Sequence, residues 1–165
     1  MPTPPSAPDL CRRLAELLRP QIGPATAMVG IHTGGVWVAE WLHKELGLTP
    51  PLATMNVSFY RDDYHQRGLH GGRKPSAVPF DVADAHIIIV DDVLHTGRTI
   101  RAALNELFDY GRPAKVELAV LVDRGGRELP IAATYCAQAL SLPTTQSLNL
   151  ERSADGELEF AVAEK

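Results

Sequence analysis

Ile87-Ile88-Ile89-Val90-Asp91-Asp92-Val93-Leu94-His95-Thr96-Gly97-Arg98-Thr99 is the stretch from which the fold can be read. Its first four residues are β-branched without a break, the pattern of a strand covered on both faces. Two carboxylates follow at once, then a short polar turn. Beyond it Ile100, Ala103, Leu104, Leu107 and Phe108 fall on one helical stripe, which Gly111 and Pro113 stop. A buried strand feeding directly into a helix implies a parallel sheet with helices on its faces. Ligands of such sheets bind at the carboxyl ends of the strands. Asp91 and Asp92 are delivered to that place.

The chemistry of the turn is that of an anion site beside a diol site. Backbone N–H groups at a helix N-terminus lack internal partners, and the helix dipole adds partial positive charge there. A phosphate dianion suits that position. Thr96 and Thr99 bring hydroxyl donors, and Gly97 allows a tight turn. Two adjacent carboxylates can accept hydrogen bonds from the vicinal hydroxyls of a ribose. A polar loop or a helix cap would also place acidic residues after a strand, so composition alone leaves both readings open. The chain has no G-x-x-x-x-G-K-[ST], no G-x-G-x-x-G and no G-x-S-x-G, which removes the P-loop, dinucleotide and hydrolase-elbow readings.

The rest of the chain extends the alternation outward. Leu10, Leu14, Leu17 and Leu18 have helical spacing with Asp9 placed to cap it, after a frayed Pro-rich tail at 1–8. Thr26 to Ile31 reads as a buried strand. The loop His32-Thr33-Gly34-Gly35 follows. Val38, Trp41, Leu42 and Leu46 mark a helix closed by Gly47. Leu52 to Tyr60 is a further expected strand. Residues 61–79 contain three glycines, Arg61, Arg73 and Lys74 with no hydrophobic period, the texture of a mobile loop. Val116 to Val122 is another buried strand. Ser147 to Leu150 and Leu158 to Val162 flank Asp155-Gly156, a hairpin signal. The expectation is one α/β domain over 1–165.

Composition sets the outer bounds. Hydrophobic residues make up 45% of 165, enough for a core, and the net charge of −4 gives no global attraction to nucleic acid or anionic membrane. Cys11 and Cys136 form no disulfide framework and no metal spacing. No apolar run approaches membrane-spanning length and residues 1–8 are not a signal peptide, so a cytoplasmic protein is expected. The six histidines, His32, His43, His65, His70, His86 and His95, show no zinc spacing.

The stretch 87–99 resembles the phosphoribosyl diphosphate (PRPP) motif of type I phosphoribosyltransferases. More narrowly, Tyr60-Arg61-Asp62-Asp63, Val90 to Pro113 and Leu118 to Pro130 resemble the bifunctional pyrimidine-operon regulator / uracil phosphoribosyltransferase (PyrR) family. The resemblance implies the type I phosphoribosyltransferase fold: a mostly parallel sheet, helices on both faces and a small C-terminal β hood. It implies that Asp91 and Asp92 hold the ribose 2- and 3-hydroxyls, that Mg2+ meets these carboxylates indirectly, through the PRPP hydroxyls or water, and that His95, Thr96, Gly97, Arg98 and Thr99 hold the 5-phosphate. His32, Thr33, Gly34 and Gly35 would lie under the diphosphate. Arg61, Arg73 and Lys74 would reach the leaving diphosphate from the mobile loop, and Val122, Asp123 and Arg124 would border the base. Family members often carry Lys-Thr-Arg-Gly where this chain has His32-Thr33-Gly34-Gly35, so two cations are missing from the diphosphate loop.

The implied reaction converts uracil and PRPP to uridine monophosphate and diphosphate, with uridine nucleotides as ligands and a homodimer or higher homo-oligomer as the assembly. The same resemblance implies pyrimidine-operon messenger RNA as a second partner. Against that partner, residues 131–140 contain no Lys or Arg, although the first helix keeps Arg12, Arg13 and Arg19. A nucleotide sensor without catalysis is the third reading, kept open by the altered diphosphate loop. Arg127 and Glu128 either belong to the base-pocket region that the resemblance implies or pair with each other on the surface.

Overall fold

The computed structural model describes residues 3–57 and 75–165. Its centre is a five-stranded parallel sheet in the order β2-β1-β3-β4-β5. The strands are β1 (Ala27–Ile31), β2 (Ala53–Met55), β3 (His86–Leu94), β4 (Lys115–Asp123) and β5 (Tyr135–Ala139). Two further strands, β6 (Gln146–Arg152) and β7 (Leu158–Glu164), pair antiparallel as a separate hairpin. The helices are α1 (Ala7–Leu18), α2 (Gly34–Leu46) and α3 (Arg98–Asp109).

Strand alternation divides the core in two. Met28, Ile88, Val90, Ala119 and Leu121 face one side, where they meet Leu14 and Leu18 of α1 and Val38 and Leu42 of α2. Val29, Ile31, Ile87, Ile89 and Val120 face the other side and meet Ile100, Ala103 and Leu107 of α3. The run Ile87–Val90 is fully buried because both faces are covered, as the unbroken β-branched pattern requires. Leu148, Leu150 and Phe160 of the hairpin join the α1/α2 side. These C-terminal apolar residues are core.

Several expected boundaries shift for local reasons. The first helix starts at Ala7: Ser6 is the N-cap, its Oγ accepts the Asp9 N–H, and Pro8 lies in the first turn. The tail therefore ends before residue 6, and Asp9 sits inside the helix paired with Arg12. Gly34 and Gly35 belong to the first turn of α2, not to a loop. β3 runs on through Asp91 and Asp92 to Leu94, because β4 pairs with it as far as Leu94↔Asp123. Phe108 leaves the α3 stripe and is half exposed, while Ala102 takes a buried place. β2 is shorter than expected within the described residues. Ala77 pairs with Thr54 beside it, and Ser76 Oγ accepts the Asn56 N–H, so residues 76 and 77 of the expected mobile loop are bonded to the sheet edge.

At the amino ends of the strands, opposite the expected site, a polar chain crosses the sheet. The Thr26 Oγ accepts the Gly23 N–H, and its own hydroxyl lies 3.3 Å from His86 Nδ1. His86 Nε2 donates to Glu117 Oε1 at 2.6 Å, and the Tyr135 hydroxyl donates to Glu117 Oε2 at 3.1 Å. A proton on Nε2 and a Thr26 hydroxyl donating to Nδ1 satisfy every partner. Burial alone would raise the Glu117 carboxyl; the bonds from His86 and Tyr135 and the charge of Lys115 outweigh it and hold it below the ordinary value. Glu117 thus contributes stability above the ordinary glutamate range, lost as pH falls through its depressed pKa. Glu117→Gln is expected to lower stability at neutral pH by about 1–3 kcal/mol and to flatten the acid limb of a denaturation-versus-pH profile.

Candidate functional site

The strand order reverses direction between β1 and β3, since β2 lies on one side of β1 while β3, β4 and β5 follow on the other. A crevice opens beyond the carboxyl ends of the strands at such a point. Gly30 pairs with Val90 across it. From β1 the chain passes through His32 and Thr33 into α2, and from β3 through His95 to Gly97 into α3. Two helix N-termini therefore open on the same end of the sheet, from opposite faces.

The glycine pair and the carboxylate pair are packed on each other. A Cβ on Gly34 would fall on the Asp92 carboxylate. One on Gly35 would lie 2.7 Å from the Val90 carbonyl oxygen and 3.1 Å from Asp91 Cα. Below, a Cβ on Gly30 would meet Val36 Cα at 2.9 Å. Only hydrogen fits at these positions, and that is what lets α2 descend onto β1 and β3. The His32–Thr33 peptide is cis. Asp91 is buried, and its Oδ1 accepts the Asp92 N–H at 2.9 Å. Asp92 is half-buried, and its Oδ1 accepts the Val93 N–H at 2.8 Å.

The turn after β3 leads directly into the N-terminus of α3. Gly97 has φ +95° and, having no side chain, makes no cap hydrogen bond of its own to the first turn of α3. Thr96 is buried and its Oγ accepts the Arg98 N–H at 3.2 Å. Thr99 is half-buried on the first turn. His95 Nδ1 lies 2.9 Å from the Gly125 carbonyl oxygen, and its ring covers Gly126 so closely that a Cβ there would meet it at 2.6 Å. The Arg98 side chain turns outward to Glu128 at 3.0 Å, so the residue offers the turn its backbone and not its guanidinium.

Val122, Asp123 and Arg124, the expected base border, lie at the end of β4 and the start of the segment that leaves it. The Val122 side chain is fully buried in the core and faces no cleft. The Asp123 carboxylate is taken by Arg127 at 2.6 Å and by the Gly125 N–H at 2.9 Å. Burial would raise that carboxyl, but Arg127 and Gly125 hold it below its ordinary value. Arg124 is buried, and its guanidinium donates to the carbonyls of Pro143 and Gln146, fastening the start of the hairpin. Arg127 is not the surface partner of Glu128. It bonds Asp123, the His95 carbonyl and the Ile131 carbonyl. The signal for it, an Arg-Gly-Gly-Arg run at the carboxyl end of a strand, was legible; its partners were not. Arg61, Arg73 and Lys74 lie outside the described residues.

Residues 5–139 match the phosphoribosyl transferase domain family. The bifunctional protein PyrR of Pseudomonas aeruginosa is 53% identical over 158 residues, 94% of this chain and 89% of that one. Its counterpart in Nitrosococcus oceani is 53% identical over 146 residues, 87% of this chain and 80% of that one. The chain belongs to the bifunctional PyrR family. Solved structures carry the same fold. A hypoxanthine-guanine phosphoribosyltransferase from Bacillus anthracis superposes with a TM-score of 0.65 at 16% identity over 85% of both chains. A purine phosphoribosyltransferase from Pyrococcus horikoshii gives 0.60 at 26% identity over 81% of both. The parallel sheet, its flanking helices and the small hairpin are the type I phosphoribosyltransferase fold expected from the sequence.

The two glycines of this PyrR chain should respond differently to a methyl group. Gly35→Ala sets Cβ against backbone and is expected to cost about 1–3 kcal/mol of stability, read by chemical denaturation. Gly34→Ala sets it against a side chain that can rotate. It is expected to unfold near the wild-type midpoint while losing affinity for ribose 5-phosphate ligands, read by calorimetry.

Proposed function

We propose that the chain is a uracil phosphoribosyltransferase, converting uracil and PRPP to uridine monophosphate and diphosphate. The observation that carries this reading is the packing of Gly34 and Gly35 against Asp91 and Asp92, which sets a place for a diphosphate beside a place for a ribose diol. In the reaction the N1–C1′ bond forms, the bond from C1′ to the diphosphate oxygen breaks, and the N1 proton is lost. The transition state carries oxocarbenium character, so the enzyme gains most from fixing the sugar and stabilising the departing charge.

Asp91 and Asp92 hold the ribose 2- and 3-hydroxyls. His95 to Thr99 hold the 5-phosphate through backbone N–H groups and the threonine hydroxyls. His32 to Gly35 lie under the diphosphate, where α2 begins. Arg61, Arg73 and Lys74 are assigned to the leaving diphosphate from the segment before β3. The base is read through the 123–131 segment by backbone groups, because the Val122 and Arg124 side chains are engaged in the core and the hairpin. No cluster of three or more His, Cys, Asp or Glu among the described residues could hold a metal alone. Two neighbouring carboxylates with a substrate diphosphate do suit Mg2+, which keeps most of its ligands from phosphate and water. When bound through Asp91 and Asp92 it would neutralise diphosphate charge.

A second reading, regulation of pyrimidine-operon messenger RNA, is supported by the name its relatives share and by exposed Arg12, Arg13 and Arg19 on and just after α1. Its electrostatic footing is narrower. Arg12 pairs with Asp9 and Arg19 with Glu45, and residues 131–140 add no cation. A gel shift on the leader of a pyrimidine operon, with and without uridine nucleotides, tests it. We assign the protein to the cytoplasm, in keeping with free Cys11 and Cys136 and with the absence, among the described residues, of a helix long and apolar enough to cross a membrane. A homodimer is assigned with it, and light scattering checks that.

Radiolabelled uracil, PRPP and magnesium should yield labelled uridine monophosphate. Asp91→Asn with Asp92→Asn is expected to abolish turnover. Uridine monophosphate binding without turnover in the unaltered chain would leave a nucleotide sensor instead.

A further inference from the structure

Successive carbonyls of an extended strand point to alternate sides. After β3 three in a row are taken up from one side. Leu94 O accepts the Arg124 N–H at 3.0 Å, His95 O accepts Arg127 Nη1 at 2.7 Å, and Thr96 O accepts the Glu128 and Leu129 N–H groups at 2.9 and 3.2 Å. Every donor belongs to the segment that leaves β4. A trans peptide is planar, with its N–H opposite its C=O. The N–H groups of His95, Thr96 and Gly97 are therefore all turned away from the 124–129 segment, to the side where a phosphate would sit. The segment works as a mould for the turn.

Three of these four donors are backbone groups, fixed by the path of the chain. The His95 carbonyl is held by a side chain. The same guanidinium donates from Nε to Ile131 O at 2.8 Å and from Nη2 to Asp123 Oδ2 at 2.6 Å. Its three nitrogens are thus each committed to a protein acceptor, and its side chain is about three-quarters buried. With the guanidinium gone, the His95–Thr96 peptide loses its charged anchor and can turn its carbonyl toward an incoming anion.

We propose that Arg127 is a positioning residue for the 5-phosphate, locking the His95–Thr96 peptide with its N–H presented to the ligand. The inference rests on the reading that residues 95–99 hold that phosphate. Arg127 thereby sets how strongly the site prefers a phosphorylated ribose to its unphosphorylated form, without contributing a phosphate contact of its own.

The test is calorimetric binding of uridine monophosphate and of uridine to the full chain and to Arg127→Ala and Arg127→Lys. The unaltered chain should prefer uridine monophosphate. Arg127→Ala should narrow that preference about tenfold, weakening uridine monophosphate more than uridine, and added guanidinium ion should restore it. Arg127→Lys keeps the charge beside Asp123 but cannot span three acceptors. It should fold, by thermal unfolding, and lose part of the preference. A preference intact in both variants overturns the role of Arg127 alone. So does an equal weakening of both ligands without rescue, which marks a merely structural residue. An unaltered chain that binds both ligands equally overturns the phosphate reading itself, and the proposal with it.

Discussion

The close approach of the first turn of α2 to the end of β3 governs the geometry of the site. Gly34 and Gly35 lie where a methyl group would strike the Asp92 carboxylate and the Val90 carbonyl, and Gly30 lets the same helix settle on β1. Parallel pairing of β1 with β3, Gly30 opposite Val90, brings the end of β1 level with the start of the acidic pair. The strand order reverses at this junction, so the crevice, the carboxylates and the two helix N-termini all open there. A larger residue at 34 or 35 would lift α2 or turn a carboxylate aside, and the site would lose its floor before losing any contact to ligand.

The remaining architecture holds that junction still. The sheet is buried on both faces, with α1, α2 and the hairpin on one and α3 on the other. Arg124 ties the end of β4 to the hairpin through the Pro143 and Gln146 carbonyls, and Arg127 ties the same end to the turn after β3. The Thr26–His86–Glu117–Tyr135 chain fastens β3, β4 and β5 at the opposite edge. Charged-group hydrogen bonds thus bracket the sheet at both ends, while the apolar contacts fill the middle. The two cysteines stand outside this chemistry: burial pushes the Cys11 thiol up to about 11 and raises that of Cys136, so neither is a thiolate at neutral pH.

What the sequence disclosed was what local pattern controls. The β-branched run at 87–90, the glycine at 97 and the Asp155-Gly156 turn each specify their own conformation, and each is where it was expected. What escaped depended on partners far along the chain. β3 continues past Val90 to Leu94 because β4 pairs with Asp91, Val93 and Leu94. Arg98, Arg124 and Arg127 share one residue type, yet one is a surface ion pair, one a buried strut and one a clamp on the turn after β3. No spacing rule separates them, because their roles are fixed by which carbonyls the fold brings within reach. Phe108 shows the converse: it obeys the helical period and is still half exposed, since no element of the described chain covers that end of α3.

The segment from Asp123 to Ile131 joins two recognitions that a list of ligand contacts would keep apart. On one side it borders the place assigned to the base; on the other its N–H groups and Arg127 shape the turn assigned to the 5-phosphate. The Val122 side chain lies in the core and the Arg124 guanidinium is engaged with the hairpin, while the path of this segment is set by Gly125 and Gly126 at φ +71° and +78° with His95 packed on the second. A non-glycine residue at 126 would have to displace the His95 ring. It would thereby move the turn after β3 as well, so a change made on the base side would be felt at the phosphate.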